Sequence, residues 1–307
     1  MDSVIITGGL GQVGSSIIDE LPKSTHILVI DNFSNNKTTQ KNFPDYTNLN
    51  ILDFDISDIN QFDELNELNQ SNQYSKLIHT AAQISVPYSE INPKFDAEVN
   101  IMGTLNILEW SKANHINQLV TIGSAATIGI PRSIPISTEH HKNPISPYGI
   151  SKSISEDYTL YYARKYNLDY KVLRPYNIYS KYIQENDPYS GVISNFINQA
   201  KQNVPFEIHG DGSQIRDFIH ASDVAKLILN SFNFNNSQIF NVATGKGTSI
   251  LDLSKMIAKL LNIEWQAIYK DKRENDIQKS IGKKSNLYDF APMSLFEGLK
   301  LLISEHI

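Results

Sequence analysis

The sequence of 307 residues contains no cysteine, which excludes disulfide bonds, thiolate nucleophiles and thiolate metal ligands. It also lacks an uninterrupted apolar run of about 18 residues, the length that a membrane-spanning helix needs. The net charge of -6 disfavours a nucleic-acid-binding surface, which needs a basic stripe. Asp2 stands where a signal peptide would carry basic residues, so we expect a cytoplasmic protein. From the charge and the missing apolar run, we expect neither a nucleic-acid partner nor a membrane partner. His79 and the pair His140–His141 have no accompanying pattern of Asp or Glu, so no metal site is expected.

The first half of the chain alternates short apolar runs with segments of helical periodicity. Runs such as Val4–Thr7 and Gln118–Gly123 predict buried strands, and Gln12–Glu20 and Asp96–Ala113 predict helices between them. This alternation is typical of parallel strands joined by crossover helices. After Pro175 the pattern loosens. We therefore expect an α/β fold in which residues 1–175, joined by 215–242, form a doubly wound parallel sheet, and residues 176–214 and 243–307 form a smaller mixed α/β lobe.

The turn after the first predicted strand has a glycine spacing that suits a dinucleotide. It reads TGGLGQVG, with Gly8, Gly11 and Gly14 directly before a helix. Glycines there allow a tight turn and a close approach of the backbone to a pyrophosphate, which the helix N-terminus attracts. Asp31 ends the next strand, where a carboxylate can bind ribose hydroxyls and would repel a 2′-phosphate. The glycine spacing and Asp31 together favour a Rossmann-type domain that binds NAD. The alternative is a glycine-rich connection that happens to be followed by a surface aspartate.

A second set of residues suits proton transfer. Tyr148 and Lys152 are separated by one helical turn and so share a helix face. A neighbouring ammonium stabilises a phenolate, so we expect the pKa of Tyr148 to be lowered. Ser124 follows the fifth predicted strand, at the edge of a parallel sheet where ligands bind. On their own, Tyr148 and Lys152 would be interpreted as an exposed pair on a helix surface, and Ser124 as a residue that caps a turn or helix. The predicted fold favours a role in proton transfer instead, because it places all three at the ligand-binding edge of the sheet.

Nine motifs occur together in one order along the chain. They are TGGLGQVG, the Asp31 position, DFDISD, HTAAQISVPYS, Asn100 with Gly103–Thr104, GSAATIG, SPYGISK, LRPYNIYS and QIRDFIHASDVA. In this the chain resembles the extended short-chain dehydrogenase/reductase family, and within it the NAD-dependent nucleotide-sugar epimerases and dehydratases, in particular the 4-epimerases. The resemblance covers nearly the whole length.

The resemblance implies a role for each matching residue. Tyr148 would be the catalytic base and acid, Lys152 would orient the nicotinamide ribose, and Ser124 would bind the reacting hydroxyl. The NAD site would comprise Gly8, Gly11, Gln12, Val13, Gly14, Asp31, Asn32, Asp55, Ile56, Ala81, Ala82, Gln83, Asn100, Tyr148, Lys152 and Tyr176. The nucleotide-sugar site would comprise Ser124, Tyr148, Asn177, Val192, Phe206, Arg216, Arg273, Asp276 and Ser280.

The resemblance also implies a reaction. Dehydratases of this family place an Asp-Glu pair after the serine position, and its sugar-acid decarboxylases carry a Glu there, whereas this chain has Ala125 and Ala126. Epimerisation at C4 of UDP-glucose/UDP-galactose or of UDP-GlcNAc/UDP-GalNAc is therefore expected. Ser280 matches a position that controls room for a 2-acetamido group, and a small residue would admit it. Ile128 and residues 180–182 depart from the family pattern in substrate-side loops.

Two other functions remain open. A reductase or another net oxidoreductase would consume external cofactor, and a non-catalytic NAD-binding protein would not need Tyr148. The family commonly dimerises through two helices of the cofactor domain, which here would be Asp96–Ala113 and Tyr148–Lys165. A homodimer is therefore expected.

Overall fold

A seven-stranded parallel sheet forms the centre of the computed structural model, which describes residues 2–34, 42–72, 74–182, 191–234, 237–273, 276–285 and 290–306. The strand order is β11-β6-β5-β4-β1-β2-β3, and all six pairings are parallel. The strands are β1 (Ser3–Thr7), β2 (His26–Asp31), β3 (Leu49–Asp53), β4 (Lys76–His79), β5 (Gln118–Ile122), β6 (Asp169–Pro175) and β11 (Gln238–Val242). The predicted doubly wound, Rossmann-type α/β sheet is confirmed.

Helices cover both faces of this sheet. They are α1 (Gln12–Glu20), α2 (Phe62–Asn72), α3 (Val86–Ile91), α4 (Pro93–Ala97), α5 (Thr104–Ala113), α6 (Pro147–Tyr166) and α8 (Ala221–Ser231). Side chains of a strand alternate between the two faces. Ile6 accordingly lies in one buried core with Ile17 of α1 and Ile228 of α8, whereas Ile5 lies in a second core with Leu65 and Ile107 of α2 and α5.

A second region packs around a core of its own. Its helices are α7 (Val192–Lys201), α9 (Ile250–Leu261) and α10 (Leu295–His306). Its short strands are β8 (Phe206–His209), β9 (Ile215–Arg216), β12 (Thr248–Ser249), β13 (Ala267–Lys270) and β14 (Lys279–Ser280), and β7 (Asn177–Tyr179) and β10 (Phe218–His220) lie between it and the central sheet, with side chains in both cores. Phe196, Ile257 and Leu299 bring α7, α9 and α10 together in this core. Strands β12, β9 and β14 form one small sheet, which places residues around Arg216 beside those around Ser280.

The predicted continuous helix over Asp96–Ala113 is interrupted. Residues Glu98–Gly103 form a π-helical segment between α4 and α5. The carbonyl of Asn100 accepts hydrogen bonds from the hydroxyls of Thr104 and of Ser155, which lies on α6. These side chains compete for an acceptor that a regular helix would give to a backbone amide.

None of the helices that the structure describes is long and apolar enough to cross a membrane. Among the same residues, no group of three or more His, Asp or Glu side chains is placed to hold a metal ion.

Candidate active site

The glycine-rich turn between β1 and α1 leaves no room for side chains. Gly8 has a φ of 63°, and a Cβ on it would lie 2.6 Å from the backbone of Ala81. A Cβ on Gly14 would lie 2.4 Å from the carbonyl oxygen of Gly8. Gly11 precedes α1 without any side-chain cap, so the first amide groups of the helix stay available to an anion. The side-chain nitrogen of Gln12 is buried there without a hydrogen-bond partner in the described part of the chain. These features fit the pyrophosphate of a dinucleotide.

Acidic residues follow the ends of β2 and β3. Asp31 accepts hydrogen bonds from the backbone amides of Leu10, at 3.0 Å, and Phe33, at 2.9 Å. Burial raises the pKa of Asp31, and these two amides oppose the rise. Asn32 donates to Asp55 at 3.0 Å. Burial acts to raise the pKa of Asp55, but hydrogen bonds from Ser57 and Asn32 outweigh it and lower that pKa. Each carboxylate keeps lone pairs with which it can accept ribose hydroxyls.

The strand order reverses between β1 and β4, and ligands of open α/β sheets bind at such a point. The hydroxyl of Thr80 donates to the carbonyls of Thr7 and Gly8, which joins the two strand ends. Ala81, Ala82 and Gln83 continue from β4 along this crevice. The backbone amide of Gln83 donates to the side-chain oxygen of Asn100 at 2.9 Å. Ile56 packs against Gly103, where a Cβ would lie 2.7 Å from its side chain.

Ser124 and Tyr148 meet because two helix starts face each other. Ser124 caps the 3-10 turn Ala125–Thr127 and accepts a hydrogen bond from the amide of Ala126 at 3.1 Å. Ser146 caps α6, and the amide of Tyr148 donates to Ser89 at 3.1 Å. The two elements approach so closely that a Cβ on Gly149 would lie 2.7 Å from the carbonyl oxygen of Ala126. The side chains of Tyr148 and Ser124 lie close enough to interact.

Desolvation is the largest influence on the pKa values of Tyr148 and Lys152. Burial raises the pKa of Tyr148; the interaction with Ser124 opposes the rise, and the charge of Asp96 adds to it. The expectation that the pKa of Tyr148 is lowered is therefore wrong for the protein alone, because burial raises it. Burial also lowers the pKa of Lys152 to about 8, against the raising effect of Asp96 and Glu156. Near neutral pH, the protein alone thus holds a protonated Tyr148 beside a Lys152 that is mostly charged.

The predicted nucleotide-sugar residues lie partly together. Arg216 forms an ion pair with Asp276 at 2.5 Å, and its strand pairs with Ser280. Asn177 donates through its backbone and side-chain N–H groups to the carbonyl of Asp217. Asp217 therefore connects Asn177 with the strand that carries Arg216. Burial lowers the pKa of Arg216, which Asp276 opposes and Arg273 reinforces.

Three predicted substrate residues are placed less directly. Phe206 is 1% exposed, and its ring packs edge-on against Phe196 inside the core of the second region. Val192 is half-buried at the start of α7, and Arg273 is exposed. Tyr176, predicted to contact the cofactor, is 6% exposed, and its hydroxyl has no partner among the described residues.

Sequence reasoning missed two buried acids near these residues. Asp96 accepts hydrogen bonds from Gln83 and Asn100, and it precedes Asn100 by four positions, a spacing that could have indicated a shared helix face. Asp217 lies inside the motif QIRDFIHASDVA. It accepts hydrogen bonds from Thr244, Gly245 and Gly282, contacts between distant parts of the chain that no local pattern signals.

Comparisons with known proteins agree with this geometry. A relative from Methanocaldococcus jannaschii, provisionally named UDP-glucose 4-epimerase, is 34% identical and covers 98% of this chain and 97% of its own. The structure of a UDP-N-acetylglucosamine 4-epimerase from Methanobrevibacter ruminantium, with UDP-N-acetylmuramic acid, superposes with a TM-score of 0.90, at 31% identity over 99% of this chain and 97% of that one. UDP-glucuronic acid decarboxylase 1 of Xenopus tropicalis is 27% identical over 98% of this chain and 71% of that protein. The family model described as "NAD dependent epimerase/dehydratase family" matches residues 4–243. The chain belongs to this family of NAD-dependent enzymes.

Proposed function

We propose that this protein interconverts the C4 epimers of a UDP-activated hexose, with no net oxidation or reduction. The observation that carries the proposal is the meeting of Ser124 and Tyr148 at the crevice, with Lys152 one turn along α6. Ala125 and Ala126, next to Ser124, supply no carboxylate for the elimination of water or the chemistry of a sugar acid. The epimerase names of the relatives at 31% and 34% identity support the same reaction.

Each step of the proton transfer has a residue in place. When bound, NAD supplies a hydride acceptor and donor for C4 of the sugar. Ser124 binds the C4 hydroxyl and orients it toward Tyr148. In its phenolate form, Tyr148 takes the proton of the C4 hydroxyl as C4 becomes a ketone, and the resulting phenol returns that proton once the sugar has turned over. The positive charge of Lys152 favours the phenolate, which desolvation alone disfavours.

The nucleotide diphosphate would bind near Arg216. Its guanidinium is oriented by hydrogen bonds to Asp276 and to the backbone carbonyl of Ile277. A guanidinium in a fixed orientation can bind two phosphate oxygens at once. Asn177 pairs with Phe218, two residues after Arg216, and Arg273 contributes a second positive charge. Ser280 lies beside Arg216 in the paired strands, and its small side chain leaves room for a 2-acetamido group. We therefore expect UDP-N-acetylhexosamines to be accepted as well as UDP-hexoses.

The homodimer is also a proposal. Large apolar side chains stand exposed on α3, α4, the π-helical segment and α6: Ile91, Phe95, Met102, Ile150, Tyr158 and Tyr161. A patch of this kind on neighbouring helices is typical of an interaction surface. A second copy of the chain would cover it by packing the same helices in a four-helix contact.

The test is conversion of a UDP-sugar by purified protein without added cofactor. We expect UDP-glucose or UDP-GlcNAc to give its C4 epimer by NMR, with no NADH released. Tyr148→Phe should reduce kcat by at least about 100-fold while the UDP-sugar still binds, because only the proton acceptor is lost. Tyr166→Phe, at an exposed residue at the end of the same helix and outside the proposed dimer contact, is the matched control and should retain activity. No conversion of either sugar, even with added NAD, would refute the proposal, and consumption of added NADH would indicate a reductase.

A further inference from the structure

Asp96 is a buried acid that the proposed reaction does not use. It is 1% exposed, at the end of α4 just before the π-helical segment. Its Oδ1 accepts hydrogen bonds from the side-chain amides of Gln83, at 2.7 Å, and Asn100, at 3.1 Å. Its Oδ2 is buried with no hydrogen-bond partner among the described residues. Burying a carboxylate in this way costs free energy, so its charge needs an explanation.

Asp96 also has no cation of its own. Its two donors are neutral amides, and the described part of the chain places no Lys, Arg or His within ion-pair distance of it. The other buried acid near Lys152 is different. Glu156 forms an ion pair with Arg174, in which both side chains are at most 3% exposed. The negative charge of Glu156 is therefore balanced locally, whereas that of Asp96 is left to act on its surroundings.

We propose that Asp96 is a positioning residue whose carboxylate keeps the ammonium of Lys152 charged beside Tyr148. The inference rests on the proposed catalytic roles of those two residues. A chain of contacts joins the groups: the side-chain nitrogen of Asn100 lies 3.1 Å from Asp96 and also 3.1 Å from the hydroxyl of Ser151, the neighbour of Lys152. Asp96 thus fixes the Asn100 side chain between α4 and α6 and places a negative charge behind the lysine.

The surrounding charges support this role. Burial lowers the pKa of Lys152 to about 8, and Asp96 is the stronger of the two acids that oppose the fall. The groups that face this region are His79 from β4, Tyr148 and Glu156 from α6, Arg174 from β6 and Lys142 before α6, with Glu90 and Glu98 exposed outside it. An anion raises the pKa of every group near it. Removing the charge of Asp96 should therefore lower the pKa values of Lys152 and Tyr148 together.

The first experiment measures Lys152 directly, without turnover. Protein labelled with ε-13C-lysine is titrated by NMR, and the signal of Lys152 is assigned by its absence from Lys152→Met. In Asp96→Asn, which keeps the shape and one oxygen acceptor, we expect the pKa of Lys152 to fall by about one pH unit. Glu98→Gln removes the same charge from an exposed position two residues away. In this variant, the pKa of Lys152 should stay within about 0.2 of its value in the unmodified protein. Asp96→Ser serves the same comparison if Asp96→Asn does not fold.

The second experiment separates an electrostatic role from a structural one. The pH profile of kcat in Asp96→Asn should move to lower pH on both limbs, and Asp96→Glu should restore the original profile. A merely structural role would lower the rate without moving the profile. A folded Asp96→Asn protein in which the pKa of Lys152 is unchanged would overturn the proposal. Because the titration needs no substrate, that failure is distinct from a failure of the proposed epimerisation.

Discussion

His79 shows how a single buried side chain fixes the protonation of its surroundings. Thr104 donates its hydroxyl to the carbonyl of Asn100, so its oxygen accepts from Nε2–H of His79. In a neutral ring, Nδ1 then accepts from the hydroxyl of Thr7. Burial, and to a lesser degree the charge of Lys152, lowers its pKa from 6.5 to about 3.

This neutral histidine should make the protein sensitive to acid. Its contribution to stability is fully present above the pKa of the unfolded chain, 6.5, and is lost as the pH falls from there toward 3, because only the unfolded chain takes up the proton. Between pH 7.5 and 5.5 the loss is about 1.4 kcal/mol. We expect His79→Gln to lack this part of the pH dependence in urea denaturation, although its stability at pH 7.5 is lower. His141→Gln, at an exposed position, should keep the full dependence; equal slopes in all three proteins would contradict the assignment.

At the scale of elements, the buried ion pair between Glu156 and Arg174 links α6 to β6. Arg174 donates to Glu156 through two nitrogens, one at 2.8 Å, and to the carbonyl of Thr138 at 3.0 Å. The helix that carries Tyr148 and Lys152 is thereby joined to the sheet and to the loop before it. A buried pair contributes more to the relative placement of elements than to net stability, because desolvation offsets most of the attraction.

Breaking this pair from one side should be costly. Glu156→Gln leaves a buried guanidinium without its counter-charge, and we expect the free energy of unfolding to fall by about 3 kcal/mol. The double variant Glu156→Leu with Arg174→Met removes both charges and should recover most of that loss. Asp157→Asn is the control: its side chain is 61% exposed, and its pairing with Lys142 should contribute less than about 0.5 kcal/mol. Chemical denaturation of the four proteins measures all of these values, and a double variant no more stable than Glu156→Gln would contradict the charge argument.

At the scale of the whole molecule, the exposed apolar patch on α3 to α6 predicts the state of assembly. We expect light scattering to give the mass of a dimer, and Met102→Asp combined with Tyr158→Asp to give a monomer, because two charges would be desolvated in each half of the contact. Ile268→Asp adds a charge at a side chain that is 47% exposed on β13 and should leave the dimer intact. A monomeric unmodified protein would exclude the proposed contact.

The architecture was predictable where the signals are local. Gly8, Gly11 and Gly14 lie within one turn, and the caps Ser146 and Ser249 precede their helices directly. Strands of two residues, such as Thr248–Ser249, are too short to show a period, and their pairing depends on distant segments. The π-helical segment and the hydrogen bonds of Asp217 likewise depend on partners far away in the chain. The Phe206 side chain shows the same limit, since an aromatic residue gives no local sign of whether it faces a ligand or a core.

Strand β11 lies at the edge of the sheet beside β6, although more than 60 residues separate Pro175 from Gln238 in the chain. Phe240 of this strand is buried in the core that α1 and α8 share. A ribosome releases the chain from its amino end, so β6 has an open hydrogen-bonding edge until much of the second region has been synthesised. The sheet therefore cannot close strand by strand as translation proceeds. Until residues 238–242 have emerged, that edge of β6 lacks the strand that it pairs with in the folded protein.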